Sequence, residues 1–282
     1  MPHSLVWLNG LYIPRDEACI SPLDAGFLLG DGLFETMRAY AGRILDLDRH
    51  LDRLAASAAA LDMPLPPIDT LSAGLTALIE RNACRDARAR LTVTRGPADG
   101  EEPATTAFAH TSPLPPHALA DAPVTLAVAS LRLDPGSPLA GHKITSFLPY
   151  LTARREAVRA GADEALLLNH AGRVAECSTA NLFAVIDGTV CTPPLSDGPL
   201  PGIVRAVVLD LCDRLGLLAR ESLLTVDAMG NADEVFITNS LREVAPVRAI
   251  DGTALPDAPG PVTRRIADAY AQRVRELTGA TS

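Results

Sequence analysis

Of the 25 Lys and Arg side chains only Lys143 is a lysine; the other 24 are arginine. Guanidinium stays protonated and forms no imine, so a lysine kept in an arginine-rich chain marks a position that needs a nucleophilic amine. On composition alone, a surface remnant is the other reading. Lys143 sits in Gly141-His-Lys-Ile-Thr-Ser146, just ahead of a helix. Glu176 ends a hairpin strand in Val174-Ala-Glu-Cys-Ser-Thr-Ala-Asn181, among apolar neighbours. Beside a pyridine nitrogen, that carboxylate would keep the nitrogen protonated and make the ring an electron sink. Leu200-Pro-Gly-Ile-Val-Arg205 opens a helix whose free amides at Ile203 and Val204 suit a phosphate. Thr238-Asn-Ser-Leu241 adds a strand-end hydroxyl and further amides. Arg53, read on the outer face of an earlier helix, offers a bidentate phosphate contact. Singly these are helix capping, a solvated carboxylate and a surface charge. In this order they supply an amine, a ring-nitrogen carboxylate and a phosphate cradle, the handles of pyridoxal 5′-phosphate (PLP).

The elements that must position these groups read as two units. In the first, Asn9-Gly10 and Ala41-Gly42 are hairpin turns. Helices are expected over 49–61, with Leu51, Leu54, Ala58 and Leu61 on one side, and over 68–81. Strands are expected over 33–40, 88–94 and 105–111. Residues 113–123 hold four prolines and no periodicity, a linker composition. The second unit offers strands over 124–131, 164–168, 173–177, 181–186, 189–192 and 234–238, with helices over 149–160, 203–215 and 261–277. The expected fold class is α+β, with a small N-terminal α/β domain over 1–116, a linker over 117–123 and a larger domain over 124–282.

Composition narrows the function classes. A net charge of −9 over 282 residues argues against nucleic acid and anionic membrane as partners. Apolar runs are too short to span a bilayer and no secretory signal is apparent, so a cytoplasmic protein is expected. Cys19, Cys84, Cys177, Cys191 and Cys212 lack CxxC spacing and read as free thiols. The six histidines make no metal-ligand pattern, so no metal site is expected.

The strings Glu176-Cys-Ser-Thr-Ala-Asn-Leu-Phe183, Thr192-Pro-Pro-Leu195, Leu200-Pro-Gly-Ile-Val-Arg205 and Ala232-Asp-Glu-Val-Phe-Ile-Thr-Asn-Ser240 resemble the class IV (fold-type IV) PLP enzymes. Gly30-Asp-Gly-Leu-Phe-Glu-Thr-Met-Arg38 and His50-Leu-Asp-Arg-Leu54 carry the likeness into the first unit, so it covers nearly the whole chain. That family contains branched-chain and D-amino-acid aminotransferases, R-selective amine transaminases and aminodeoxychorismate lyases. The resemblance implies a two-domain, D-amino-acid-aminotransferase-like fold. It implies that Lys143 forms the Schiff base and shuttles the proton, and that Glu176 pairs with the pyridinium. Arg53, Ile203, Val204 and Ser240 would hold the phosphate with Asn239 beside them. Leu200 would pack on one ring face, Thr179 and Ala180 on the other, with Asn181 adjoining. A homodimer whose partner's loop completes the site is implied as well. Two departures stand out: Val204 replaces a frequent Thr, and Cys177 replaces a usual Gly.

Substrate choice belongs to the first unit. Period-2 alternation puts Phe34, Thr36, Arg38 and Tyr40 on one strand face, as a pocket wall or as half-buried sheet. Phe34 would be an apolar wall and Arg38 a carboxylate partner; Arg90, Arg95, Phe147 and Leu241 are further candidates. D-amino-acid aminotransferases carry an Arg and a His shortly after the equivalent of Thr94-Arg95-Gly96, where this chain has an acidic loop over 97–103. Branched-chain enzymes usually place a Tyr near Phe147 and a Gly at Thr36. Aminodeoxychorismate lyases share the Thr at Thr36 and the Asn at Asn239. The expected activity is ping-pong transamination between an amino acid (branched-chain L-, D-, or an R-amine) and a 2-oxo acid. The alternative is lysis of aminodeoxychorismate to pyruvate and 4-aminobenzoate. A non-catalytic PLP-binding protein is the third reading, against which both Lys143 and Glu176 stand.

Overall fold

The computed structural model describes residues 4–97, 105–115, 123–256 and 258–280. The acidic loop beyond Pro97 and the expected linker up to residue 122 lie outside these. The chain divides into two compact units. Unit 1 comprises 1–115, 142–146 and 274–282; unit 2 comprises 116–141 and 147–273. This differs from the expected division, which put Lys143 in the second domain.

Unit 1 opens with β1 (Leu5–Leu8), β2 (Leu11–Pro14) and the short helix α1 (Ala25–Leu29). Then come β3 (Gly32–Tyr40), β4 (Arg43–Ile44), α2 (Leu47–Ala60), α3 (Ile68–Arg81), β5 (Ala87–Thr94) and β6 (Thr106–Ser112). The strands form one antiparallel sheet in the order β2-β1-β6-β5-β3-β4. Leu33, Met37 and Ala39 of β3 face a core with Leu51 and Leu54 of α2 and Leu71, Leu75 and Leu78 of α3. Alternation therefore turns Phe34, Thr36, Arg38 and Tyr40 to the opposite face. Helix α1 was not expected; five residues with Phe27 77% and Leu29 73% exposed give no amphipathic period to read.

Unit 2 contains β7 (Val124–Leu133), α4 (Leu148–Arg159), β8 (Glu164–Asn169), β9 (Val174–Cys177), β10 (Asn181–Ile186) and β11 (Thr189–Thr192). It continues with α5 (Ile203–Leu215), β12 (Ala219–Glu221), α6 (Val226–Gly230), β13 (Glu234–Asn239), β14 (Glu243–Ile250) and β15 (Thr253–Ala254), and α7 (Pro261–Thr278) begins in it. The sheet runs β12-β11-β10-β13-β14-β7-β8-β9, with β15 on β14. Strand β14 was not expected because Pro246 interrupts its pattern. Pro246 nevertheless pairs with Phe236, next to an irregularity between Val247 and Ala249. Glu234 accepts the Val262 and Thr263 amides at 2.8 and 2.7 Å, which caps α7. Among the described residues no helix is long and apolar enough to cross a membrane, and no cluster of His, Cys, Asp and Glu is arranged for a metal.

Candidate active site

In unit 1, Lys143 lies on an extended segment zipped antiparallel to the start of β3. Leu33 bridges Ile144, the Phe34 amide donates to Lys143 O at 2.9 Å, and the Thr145 amide donates to Gly32 O at 2.8 Å. The Thr145 and Ser146 hydroxyls donate to Gly30 O at 2.7 and 3.1 Å. This approach is why Gly30 and Gly32 stand where they do. A Cβ on Gly30 (φ +71°) would lie 2.3 Å from Ser146 Oγ, and one on Gly32 would lie 3.0 Å from Thr145 Oγ1. His142 Nδ1 meets Ser57 Oγ of α2 at 3.0 Å. With the backbone fixed on both sides of it, the amine lies over the Phe34 ring, Nζ 4.6 Å from the centroid.

Arg90 Cζ lies 3.8 Å from the centroid of the same ring. Register places Thr36, Arg90 and His110 in one row across β3, β5 and β6, and Arg88 in the row beside it. Arg90 Nε donates to Thr92 Oγ1 and Arg88 Nε to Ser112 Oγ. Among the described residues no carboxylate pairs with either guanidinium. Burial, then the like charge of Arg88, lowers the Arg90 pKa. Burial and the charges of Arg88, Arg90 and Arg15 also lower that of His110. Half-buried cations without counter-charge have the chemistry to attract an anion.

The two N-terminal motifs of the resemblance meet through Glu35. Its carboxylate, 1% exposed, receives His50 Nδ1 at 2.6 Å and the Arg53 fork at 2.8 and 2.6 Å. Burial alone would raise the Glu35 carboxyl, but the charges and hydrogen bonds of Arg53 and His50 hold it down to about 2. Arg53 is therefore not on the outer face of α2. It lies one turn from His50, along the edge that covers Glu35, with its side chain 10% exposed. Arg38 also departs from expectation: its guanidinium pairs with Asp86 and stacks on Tyr40. It stands four residues along β3 from Phe34, about 13 Å from the Lys143 end. Arg95 is likewise held, by Asp31 at 2.7 Å.

In unit 2 the candidates occupy three turns. Glu176, 5% exposed, accepts the Leu200 amide at 3.0 Å. Asn181 Nδ2 donates to Leu200 O at 2.8 Å. The two ends of one turn thus grip a single residue of another. Thr179 is exposed while Ala180 is buried. Asn239 donates to Thr179 O at 3.1 Å and accepts the Leu241 and Arg242 amides, so its amide shapes the turn that carries Ser240. Phe147 stacks on Tyr150 at 4.9 Å; burial, then the Glu176 charge, pushes the Tyr150 phenol up.

The donor chemistry fits a phosphorylated pyridine. Gly202 begins α5 with no side-chain cap, and a Cβ there would lie 1.8 Å from Asn181 Oδ1, so only glycine keeps these two segments together. Thr238 pairs across the sheet with Asn181, on the same face, and its Oγ1 is buried without a hydrogen-bond partner. An unspent hydroxyl costs about 1–3 kcal/mol, which a bound oxyanion would recover. Glu35 and His50 escaped sequence reasoning because a buried carboxylate or imidazole is spelled like an exposed one.

A family model described as amino-transferase class IV matches residues 32–250. A putative branched-chain-amino-acid aminotransferase of Methanocaldococcus jannaschii is 36% identical over 275 residues, 94% of each chain. The D-alanine aminotransferase of Bacillus licheniformis is 32% identical over 288 residues, 98% of this chain and 99% of that one. A branched-chain amino acid aminotransferase from Thermoproteus uzoniensis, solved with norvaline, superposes with a TM-score of 0.90 at 30% identity, covering 98% of this chain and 95% of that one.

Proposed function

The chain belongs to the class IV aminotransferases, and on that premise we propose that it transfers an amino group from a branched-chain L-amino acid to a dicarboxylic 2-oxo acid, with PLP, by a ping-pong mechanism. The observation that carries this reading is the meeting of Lys143 Nζ and the Arg90 guanidinium on the Phe34 ring. A reactive amine and a candidate carboxylate receptor thus share one aromatic ring, 4.6 and 3.8 Å from its centroid. The branched-chain relatives, one of them solved with norvaline, support the donor class.

PLP, when bound, supplies an electron sink for the charge left as the substrate α-carbon loses its proton. Lys143 Nζ would anchor the cofactor and would move the proton at the substrate α-carbon. Glu176 would keep the ring nitrogen protonated. The Ile203 and Val204 amides and Ser240 would hold the phosphate, joined by the Arg53 N–H groups that Glu35 does not take, and Leu200, Thr179, Ala180, Asn181 and Asn239 would shape the bed. Phe34, Thr36, Phe147 and Leu241 line the substrate side. A homodimer belongs to this reading, supported by exposed Phe27, Leu28 and Leu29 on α1.

The test is spectroscopic. Protein reconstituted with PLP should be yellow, and Lys143→Ala should abolish the visible band. L-leucine should convert the cofactor to its pyridoxamine form and 2-oxoglutarate should reverse the change. Conversion by D-alanine or R-1-phenylethylamine alone would move the donor class. Inertness to all three with 4-aminobenzoate released from aminodeoxychorismate would replace the transaminase by the lyase.

A further inference from the structure

The cofactor candidates of unit 2 lie on three short segments, 176–181, 200–204 and 239–241. Asn181 and Asn239 tie these together, and both are candidates themselves. A third tie, Glu164, has not figured in the site. It opens β8, is 4% exposed, and reaches the turn between β9 and β10 from below. Its Oε1 accepts from the Ser178 hydroxyl and from the Ala165 amide at 2.9 Å; its Oε2 accepts from Thr179 Oγ1 at 2.5 Å. The turn is closed at its neck by the Cys177 amide on Ala180 O, at 2.7 Å. Its tip is held by Glu164 on one side and by Asn239 on the other.

A buried carboxylate is costly unless its lone pairs are filled. Three donors fill those of Glu164, and the Arg242 guanidinium feels its charge. The turn it holds joins Glu176 to Asn181, the two side chains that grip the Leu200 amide and carbonyl. Tilting the tip moves both ends, and Glu176 then turns away from its ring-nitrogen partner. Burial, with the charges of Glu164 and Glu176, raises the Cys177 thiol well above its ordinary value, so the residue between the two carboxylates stays a neutral spacer.

We propose that Glu164 is a positioning residue that aims the Glu176 carboxylate at the cofactor ring nitrogen through the Ser178 and Thr179 hydroxyls. This rests on the reading of Glu176 given above. The experiment compares Glu164→Ala, Glu164→Gln, Thr179→Val and Glu176→Gln as PLP-loaded enzymes. The readouts are the visible absorption band and its pH titration, kcat, KM and the melting temperature. Glu164→Ala should lower kcat by about ten- to a hundred-fold, the usual cost of a misplaced catalytic group. KM should change by less than about two-fold, because binding determinants are left in place. The band should shift in the same direction as in Glu176→Gln. Glu164→Gln, which keeps one acceptor oxygen, should fall between Glu164→Ala and wild type. Adding Thr179→Val to Glu164→Ala should cost little more, as expected of groups acting in series. An unchanged band and kcat with only a lower melting temperature would overturn the proposal, as would independent effects in the double variant. If Glu164→Ala does not fold, Glu164→Gln and Thr179→Val decide by the same criteria. If Glu176→Gln itself leaves band and kcat unchanged, the reading of Glu176 fails first, and the proposal with it.

Discussion

At the scale of single residues, charge without counter-charge carries the most information. Arg90 is half-buried, stacked on Phe34 and faced by Arg88 rather than by an acid. Replacing it with methionine keeps the bulk and removes the receptor. Arg90→Met should raise KM for 2-oxoglutarate about ten- to a hundred-fold, the worth of one charge-assisted contact. KM for a monocarboxylic branched-chain 2-oxo acid should stay within about three-fold, and a uniform loss across both acceptors would remove Arg90 from the recognition of the second carboxylate. Lys143 and Glu176 stood out in the sequence because amine and carboxylate chemistry allows few substitutes. Glu35 did not, since its partners His50 and Arg53 come from a later helix and only the fold shows that a carboxylate lies beneath them. For the same reason Arg38 and Arg53 looked free on paper and are paired in space.

At the scale of elements, the start of α5 shows how tightly the geometry of the proposed phosphate site is specified. A methyl group on Gly202 would enter the Asn181 side chain, 1.8 Å from its Oδ1. Gly202→Ala must therefore push Asn181 off Leu200 O or displace the first turn of α5. PLP affinity, followed by the visible band, should fall by about ten-fold or more, whereas affinity for pyridoxal should fall less. Equal losses for both would mean the helix start does not serve the phosphate. The bounds of α3, β10, β11 and α5 coincide with those expected from periodicity and capping. Those of α2 were displaced toward Leu47, because Asp46, in the left-handed region, precedes the helix. Strand β14 was hidden by Pro246, whose ring breaks a sequence pattern but is accommodated beside a local irregularity.

At the scale of the whole molecule, acid sensitivity follows from Glu35. Its carboxyl is depressed from 4.5 to about 2 in the fold, so the native state holds fewer protons than the unfolded chain between those values. The stabilisation is complete above pH about 4.5, is lost as pH falls toward 2, and amounts to about 3 kcal/mol. Urea midpoints should therefore drop between pH 5 and 3, and Glu35→Gln should flatten that decline while lowering stability at neutral pH; an unchanged slope would show that other carboxylates dominate. The α+β class and the class IV family were legible from strings spread along the chain. The membership of residues 142–146 in unit 1 was not, since it rests on β3 accepting a distant segment as a neighbour.

That borrowed segment has a consequence for how such proteins diversify. The chain passes between the units at 115/116, 141/142, 146/147 and 273/274. No single cut therefore yields a complete half: a gene fragment ending at the first boundary would encode a sheet lacking the strip that carries its lysine. Modules of this kind cannot be traded whole between genes. A transplant that keeps the lysine in place must carry Gly30, Gly32 and residues 142–146 together.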